Sequence, residues 1–377
     1  MKLSDRTAFY PVIALGCCLA FFAALSPAAY SQCFDDPTDA SFTRLSSTTL
    51  GTAADSSAVG VEVVGQCAYV SLKTDGKQVV VNVQNPYAPL VLPTINPLYS
   101  DQWNDPFYFN GFVFSAHRWG GLNMMDGINP SAGLLVVSSQ STNYHFKGLA
   151  GLNENGKAYL FYSEALTSGA DGGLRIYEID SGALVPTGSY ISPDTTGGAL
   201  AVTSDGMWAY QSDNGDRQGV FQAMSLNYYD VSDKNNVVFG GNLLLPTLEA
   251  NRSQSADMVM SPEEDYLFMA TSEDGLQVID ILDKANPLHI KTYTQNGFRI
   301  DGLVMTDPDT LIVTAYVKGS SSYILAELNV SLPGINAPIL GVTNMPMAVV
   351  TDVFAANGLL YVTGRNGADE PVLEIWQ

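Results

Sequence analysis

Histidine is nearly absent from this 377-residue chain; His117, His145 and His289 are the only three. No His-Glu-x-x-His pair and no Cys-x-x-Cys pair occurs, which excludes the common zinc-protease, zinc-ribbon and c-type haem signatures. A Gly-x-Ser-x-Gly elbow, a phosphate loop and a dinucleotide fingerprint are missing too. Basic residues are scarce, 17 against 38 acidic, for a net charge of −21. Such a surface repels nucleic acid and anionic lipid. After the first thirty residues no segment carries an apolar period of 3.6, and none has 18 consecutive apolar residues. Neither amphipathic helices nor a later membrane span are therefore expected.

The exception is the start. Lys2 and Arg6 precede an apolar run from Phe9 to Leu25, and Ala29-Tyr30-Ser31 places small residues at −3 and −1 of a cleavage site. This pattern reads as a signal peptide over residues 1–31, with an uncleaved anchor as the alternative. The expected compartment is the periplasm or the exterior, with no membrane insertion once the leader is removed. Residues 32–377 then carry 15 basic and 37 acidic residues, net −22.

What fills the rest is a decaying repeat. Its clearest copy is Glu273 to Tyr293, EDGLQVIDILDKANPLHIKTY. Asp274-Gly275 and Lys284 to Pro287 are turn signals, and Leu276–Ile281 and Leu288–Tyr293 are strand signals. Aligned on Asp280, the cognates are Asn82, Asp126, Glu178, Asp230, Glu327 and Glu374, at gaps of 44, 52, 52, 50, 47 and 47 residues. A period of 40–50 residues built from short strands predicts an all-β propeller. The last unit has three strands, Ala348–Ala355, Leu359–Thr363 and Val372–Trp376. Phe42–Leu50 supplies the fourth, so seven blades closed by an N-terminal strand are expected, with six blades as the alternative. A closed ring makes residues 32–377 a single domain.

DGLQVIDILDKANPLHI and CAYVSLKTDGKQVVVNVQNPYAPLVL (Cys67 to Leu92) resemble the LVIVD repeat of extracytoplasmic bacterial β-propellers. The resemblance runs from about Ser57 to the end. It implies a fold and an export route, but no activity, because that family shares no catalytic motif to transfer.

The mature chain keeps two cysteines, Cys33 and Cys67. Cys67 opens the second strand of the first blade, at the end where the N-terminal strand must begin. In an oxidising compartment the two are expected to form a disulfide.

In a propeller, the blade connections and the loops between second and third strands share one face, where ligands usually bind. On those loops fall Trp103, His117-Arg118-Trp119, Tyr144-His145, Asp213 to Arg217, Glu273, Arg299, Asp301 and Arg365 to Glu370. Trp103, Trp119 and Tyr144 among polar residues suit packing between blades or, alternatively, sugar stacking. His117, His145, Arg118 and Asp301 are the set for acid–base chemistry, should there be any, and Arg299 is a further anion-binding candidate. Asp213 and Asp216 on a Gly turn are candidate Ca²⁺ ligands or part of a plain turn; no other cofactor is expected. Two functions remain. One is a non-enzymatic binding or scaffold module for a protein, glycan or small-molecule ligand. The other is a hydrolase or lyase on the channel face, with or without a metal.

Overall fold

A computed structural model of the chain describes residues 42–55, 57–73, 77–93, 106–117, 121–128, 135–140, 145–165, 172–193, 195, 197–213, 216–217, 220–221, 224–246, 257–293, 298–331, 333 and 337–377. These residues form seven four-stranded antiparallel sheets. Blade 1 is Ala58–Val64, Cys67–Leu72, Gln78–Asn82 and Leu90–Val91. Blade 2 is Pro106–Phe109, Phe112–His117, Gly121–Asp126 and Leu135–Gln140. Blade 3 is His145–Glu154, Lys157–Ala165, Gly172–Asp180 and Ala183–Ser192. Blade 4 is Gly197–Val202, Trp208–Asp213, Ser225–Asp230 and Val238–Leu244. Blade 5 is Asp257–Met260, Tyr266–Ala270, Leu276–Asp280 and Leu288–Tyr293. Blade 6 is Phe298–Asp307, Thr310–Val317, Ser322–Asn329 and Ile339–Met345. Blade 7 is Val349–Ala356, Leu359–Arg365 and Pro371–Trp376, completed by Arg44–Thr49 from the other end of the chain.

First strands of neighbouring blades touch all the way round, including blade 7 against blade 1. The domain is thus a closed seven-bladed β-propeller, and the six-blade alternative is excluded. Closure is antiparallel, with Arg44 opposite Trp376 and Thr49 opposite Val372. Thr43 and Gln377 exchange both backbone hydrogen bonds. Arg44 Nη1 donates to Glu374 Oε1 at 2.8 Å, and that glutamate is only 3% exposed. Pairing the two ends removes what would be an open sheet edge on blade 7.

Each blade is covered on both faces by its neighbours, so inner strands read as near-continuous apolar runs such as Gln78–Asn82, QVVVN. The outermost strands are the most exposed, as in Val238–Leu244. Tight turns follow from sequence as well. At Asn357-Gly358 both residues have positive φ (54° and 72°), the condition for a type I′ hairpin.

Four of the seven recurring strand-end residues form turns. Asn82, Asp126, Asp230 and Asp280 each accept the backbone N–H two residues on, at 2.9–3.0 Å. In blade 6 that role belongs to Asn329, not Glu327. Glu178 instead pairs with Lys157, and Glu374 holds the closing strand. Strands two residues longer in blades 3 and 6 carry the turn beyond the residue that spacing selects.

The core is distributed over seven seams between blades. Among the described residues six seams bury eight to thirteen apolar side chains each. The seam between blades 1 and 2 buries four: Tyr69, Val80, Val113 and Met125. Two seams carry an added clamp from a first-strand aspartate. Asp352 Oδ2 accepts Val61 N–H of blade 1 at 2.9 Å, and Asp257 Oδ2 accepts Leu303 N–H of blade 6 at 3.1 Å.

Candidate functional site

Loops between second and third strands, together with the blade connections, form one face, here termed the upper face. Second strands running up to it end in buried polar residues: Ser71, Ser115, Ser163 and Glu164, Gln211 to Asp213, Thr314 and Thr363. Buried polar groups need partners, and several find them across a seam. Gln211 Nε2 of blade 4 donates to Ser163 Oγ of blade 3 at 2.8 Å and to Gly173 O at 2.7 Å. No side chain fits at Gly197 beside this contact, since a Cβ there would lie 2.5 Å from Glu164 O.

Blades 5 and 6 build the clearest cluster on this face. The blade 5 loop bridges to the opening of blade 6 through Ser272 and Ile300. That brings Glu273 to the side of Arg299 and Asp301. Arg299 is held on three sides. Its Nε and Nη2 donate to Asp301 at 2.8 Å each, Nη2 also donates to Tyr323 OH at 3.0 Å, and the guanidinium lies 5.2 Å from the Tyr316 ring centre. Tyr316 and Tyr323 lean on each other, and Lys318 forms an ion pair with Glu273. Burial pushes the Asp301 carboxyl up, against the pull of Arg299. Burial also opposes the charge on Arg299, but Asp301 outweighs it and raises the guanidinium further. The arginine therefore stays charged, with Nη1 the nitrogen not committed to either partner and a third of the side chain (33%) exposed.

Blade 3 holds a second ion pair at the same level. Arg175 Nε donates to Glu164 Oε2 at 2.6 Å, and Glu164 is fully buried. Burial pushes this carboxyl up, and Arg175 counters it. In blade 4, Asn227 Nδ2 reaches Asp213 Oδ2 at 3.4 Å, and Asn242 bridges Asn227 and Ser225.

Of the residues marked out by sequence, Arg299 and Asp301 are brought together, as partners in one ion pair. Both Asp301 oxygens accept hydrogen bonds from Arg299. Asp213 lies buried at a strand end, and Asp216 opens a small hairpin, Asp216–Arg217 with Val220–Phe221. Among the described residues no three His, Cys, Asp or Glu side chains gather as a metal set. His117 ends a blade 2 strand and His145 begins the first strand of blade 3, both at the upper face; their side chains lie outside the described residues. Trp103, Arg118, Trp119, Tyr144 and Cys33 also lie outside them. Cys67 opens its strand as expected, and burial pushes its thiol up. His289 Nε2 contacts Gln277 Oε1 and Thr292 Oγ1 at 3.0 Å, a packing role.

Sequence reasoning missed several groups inside strands. Burial alone pushes the carboxyl of Glu62, on the first strand of blade 1, up to about 8. Asp257 is pushed up to about 6 by burial, against two backbone N–H donors. Gln78, Asn123, Glu164 and Arg175 were equally silent. The signal available was a polar residue inside an otherwise apolar inner strand, as in AVGVEVV.

No family model matches the chain, and no curated protein matches it. Solved structures do. A candidate 6-phosphogluconolactonase from Bacteroides fragilis is 13% identical, with 75% of this chain and 83% of that chain covered and a TM-score of 0.59. The β-propeller domain of Cps50 (Swd1) from Myceliophteria thermophila is 10% identical, covering 87% and 98%, TM-score 0.63. A hypothetical selenium-binding protein from Sulfolobus tokodaii is 12% identical, covering 74% and 75%, TM-score 0.59. At these identities the likeness shows the propeller fold alone.

Proposed function

We propose that this chain is an exported, non-enzymatic binding module of the LVIVD-repeat type, which recognises a partner's acidic group through the upper face of blades 5 and 6. The observation that carries the reading is Arg299. Asp301, Tyr323 and Tyr316 fix its guanidinium before any ligand arrives, so little conformational freedom is lost on binding. A partly exposed guanidinium edge with Lys318 close by suits a carboxylate or sulfate on a glycan or peptide, and Tyr316 adds a flat apolar contact. The strong negative charge of the whole domain opposes bulk anions, which favours a ligand that also makes neutral contacts over a free inorganic ion.

The test is a glycan and acidic-peptide array probed with the mature protein. Hits are remeasured with Arg299→Ala and Arg299→Lys. Binding should fall at least about tenfold in both, because lysine cannot reproduce the fork. Acidic hits that are indifferent to both substitutions would refute this site. N-terminal sequencing of the exported protein tests the leader, with Gln32 as the expected first residue.

A further inference from the structure

Six Asn-Gly pairs occur in the sequence, and four of them lie among the described residues: Asn110-Gly111, Asn155-Gly156, Asn357-Gly358 and Asn366-Gly367. An asparagine before glycine is open to ring closure, because glycine offers its backbone nitrogen with no side chain in the way. That nitrogen must reach the asparagine Cγ, so any hydrogen bond holding the amide has to break first. Three of the four amides are held. Asn110 and Asn153 face each other between blades 2 and 3: Asn110 Nδ2 donates to Asn153 Oδ1 at 2.7 Å, and Asn153 Nδ2 donates back to Asn110 Oδ1 at 3.1 Å. Asn357 Nδ2 donates to Gly65 O of blade 1 at 3.1 Å. Asn366 Nδ2 donates to Glu370 Oε2 at 3.0 Å, and its Oδ1 accepts the backbone N–H groups of Ala368 and Glu370. Asn155 differs. It is exposed, and among the described residues its side chain makes no hydrogen bond. It forms a two-residue turn with Gly156 between Glu154 and Lys157, and apart from chain neighbours no atom lies within 4 Å of the space beside Gly156.

We propose that Asn155 is a site of spontaneous covalent modification: deamidation to aspartate and isoaspartate through ring closure onto Gly156. The Gly156 nitrogen gives up its proton and attacks Asn155 Cγ. The new C–N bond forms, the Cγ–Nδ2 bond breaks, and ammonia carries the proton away. Water then opens the cyclic imide. Attack at Cγ returns the main chain to its course and leaves aspartate. Attack at the main-chain carbonyl leaves isoaspartate, whose backbone runs through Cγ. The sum consumes water, releases ammonia and needs no oxidant. Either product places a carboxylate two residues before Lys157, the partner of Glu178. Isoaspartate also lengthens the main chain of the two-residue loop, and loop length sets the register of the hairpin it joins. The change therefore falls on the first two strands of blade 3, away from Arg299 in blade 6.

Peptide mapping by mass spectrometry tests it, on the mature protein held at mildly alkaline pH, with the guanidinium-unfolded protein in parallel. Dividing the unfolded rate by the folded rate at each asparagine removes the influence of the preceding residue and leaves the protection given by the fold. Protection should be least at Asn155. Asn110, Asn357 and Asn366 should be protected at least about fivefold more, the effect of one hydrogen bond that must break first. Asn153→Ala frees the Asn110 amide and should speed its deamidation by at least about fivefold, with Asn155 unchanged. The proposal is overturned if Asn155 stays intact in the folded protein while the unfolded chain deamidates, if the four sites are protected alike, or if one of the held asparagines reacts with less protection than Asn155. The rates in the unmodified protein decide the matter even if Asn153→Ala fails to fold.

Discussion

Replacing Glu62 with glutamine should change how stability depends on pH. Glu62 has no cation beside it among the described residues, and burial alone pushes its carboxyl from an ordinary 4.5 to about 8. Below pH 4.5 both folded and unfolded chains hold this proton, so the residue is neutral in its effect. Between 4.5 and 8 the unfolded chain releases the proton while the folded chain keeps it. Stability is therefore lost as pH rises, by about 1.4 kcal/mol per unit. Above 8 the loss levels off at about 5 kcal/mol, which partial solvent contact trims to about 3 kcal/mol.

Glutamine has the same shape and no proton to lose. The assay is urea unfolding of both proteins in parallel from pH 4.5 to 9, followed by tryptophan fluorescence. The stability of the Glu62→Gln variant relative to the parent should rise by about 3 kcal/mol across that range, with most of the change between pH 5 and 8. The other carboxylates, shared by both proteins, cancel in the difference. A flat difference would refute the reasoning, because it would mean that Glu62 ionises in the fold as freely as in the unfolded chain.

Arg44→Ala leaves buried Glu374 without its cation and should lower stability by about 1–3 kcal/mol in the same assay, with Arg44→Lys recovering part. Gly364→Ala places a Cβ 2.0 Å from Val349 O inside blade 7; it should cost about 2–4 kcal/mol, seen as a lower urea midpoint. Asp257→Ala removes the acceptor for Leu303 N–H and Met258 N–H, and should cost about 2–3 kcal/mol, whereas Asp257→Asn should cost less. If Cys33 and Cys67 are joined in the exported protein, thiol labelling under denaturing conditions should fail until a reductant is added; labelling without reductant would rule the bridge out.

The architecture was legible because the repeat is a physical unit. Turn signals at Asp274-Gly275 and Asn286-Pro287 bracket strands that fold to within a residue or two of their expected bounds, and Phe42–Leu50 closes blade 7 through Arg44–Thr49. Counting along the repeat failed where the third strand runs on past the aligned position: Glu178, Glu327 and Glu374 align with Asp280, but the strand ends two residues beyond each of them. At the site, Arg299, Asp301 and Glu273 were visible as charges on loops of one face. Their mutual pairing was not, since it depends on the bridge between Ser272 and Ile300 from different blades. Glu62, Gln78 and Asn123 gave no warning because a polar residue within a strand normally reads as facing water. In a ring of stacked sheets both faces of an inner strand are buried, so the same residue is forced into a seam.

That geometry also explains how one polar seam survives in a folded domain. An open stack of sheets with a seam of four buried apolar residues would part there first. In a ring, blade 1 is held from its other side by thirteen buried apolar residues shared with blade 7 and by the Asp352 clamp on Val61. Blade 2 is likewise held by its packing on blade 3. Separating blades 1 and 2 means straining those neighbours, because no blade can leave a closed ring alone. That blade 7–blade 1 seam, matched among the described residues only by the thirteen of blades 5 and 6, adjoins the blade that the two chain segments complete together. Closure thus supplies the stability that lets this seam bury Gln78 and Asn123 beside only four buried apolar side chains among the described residues.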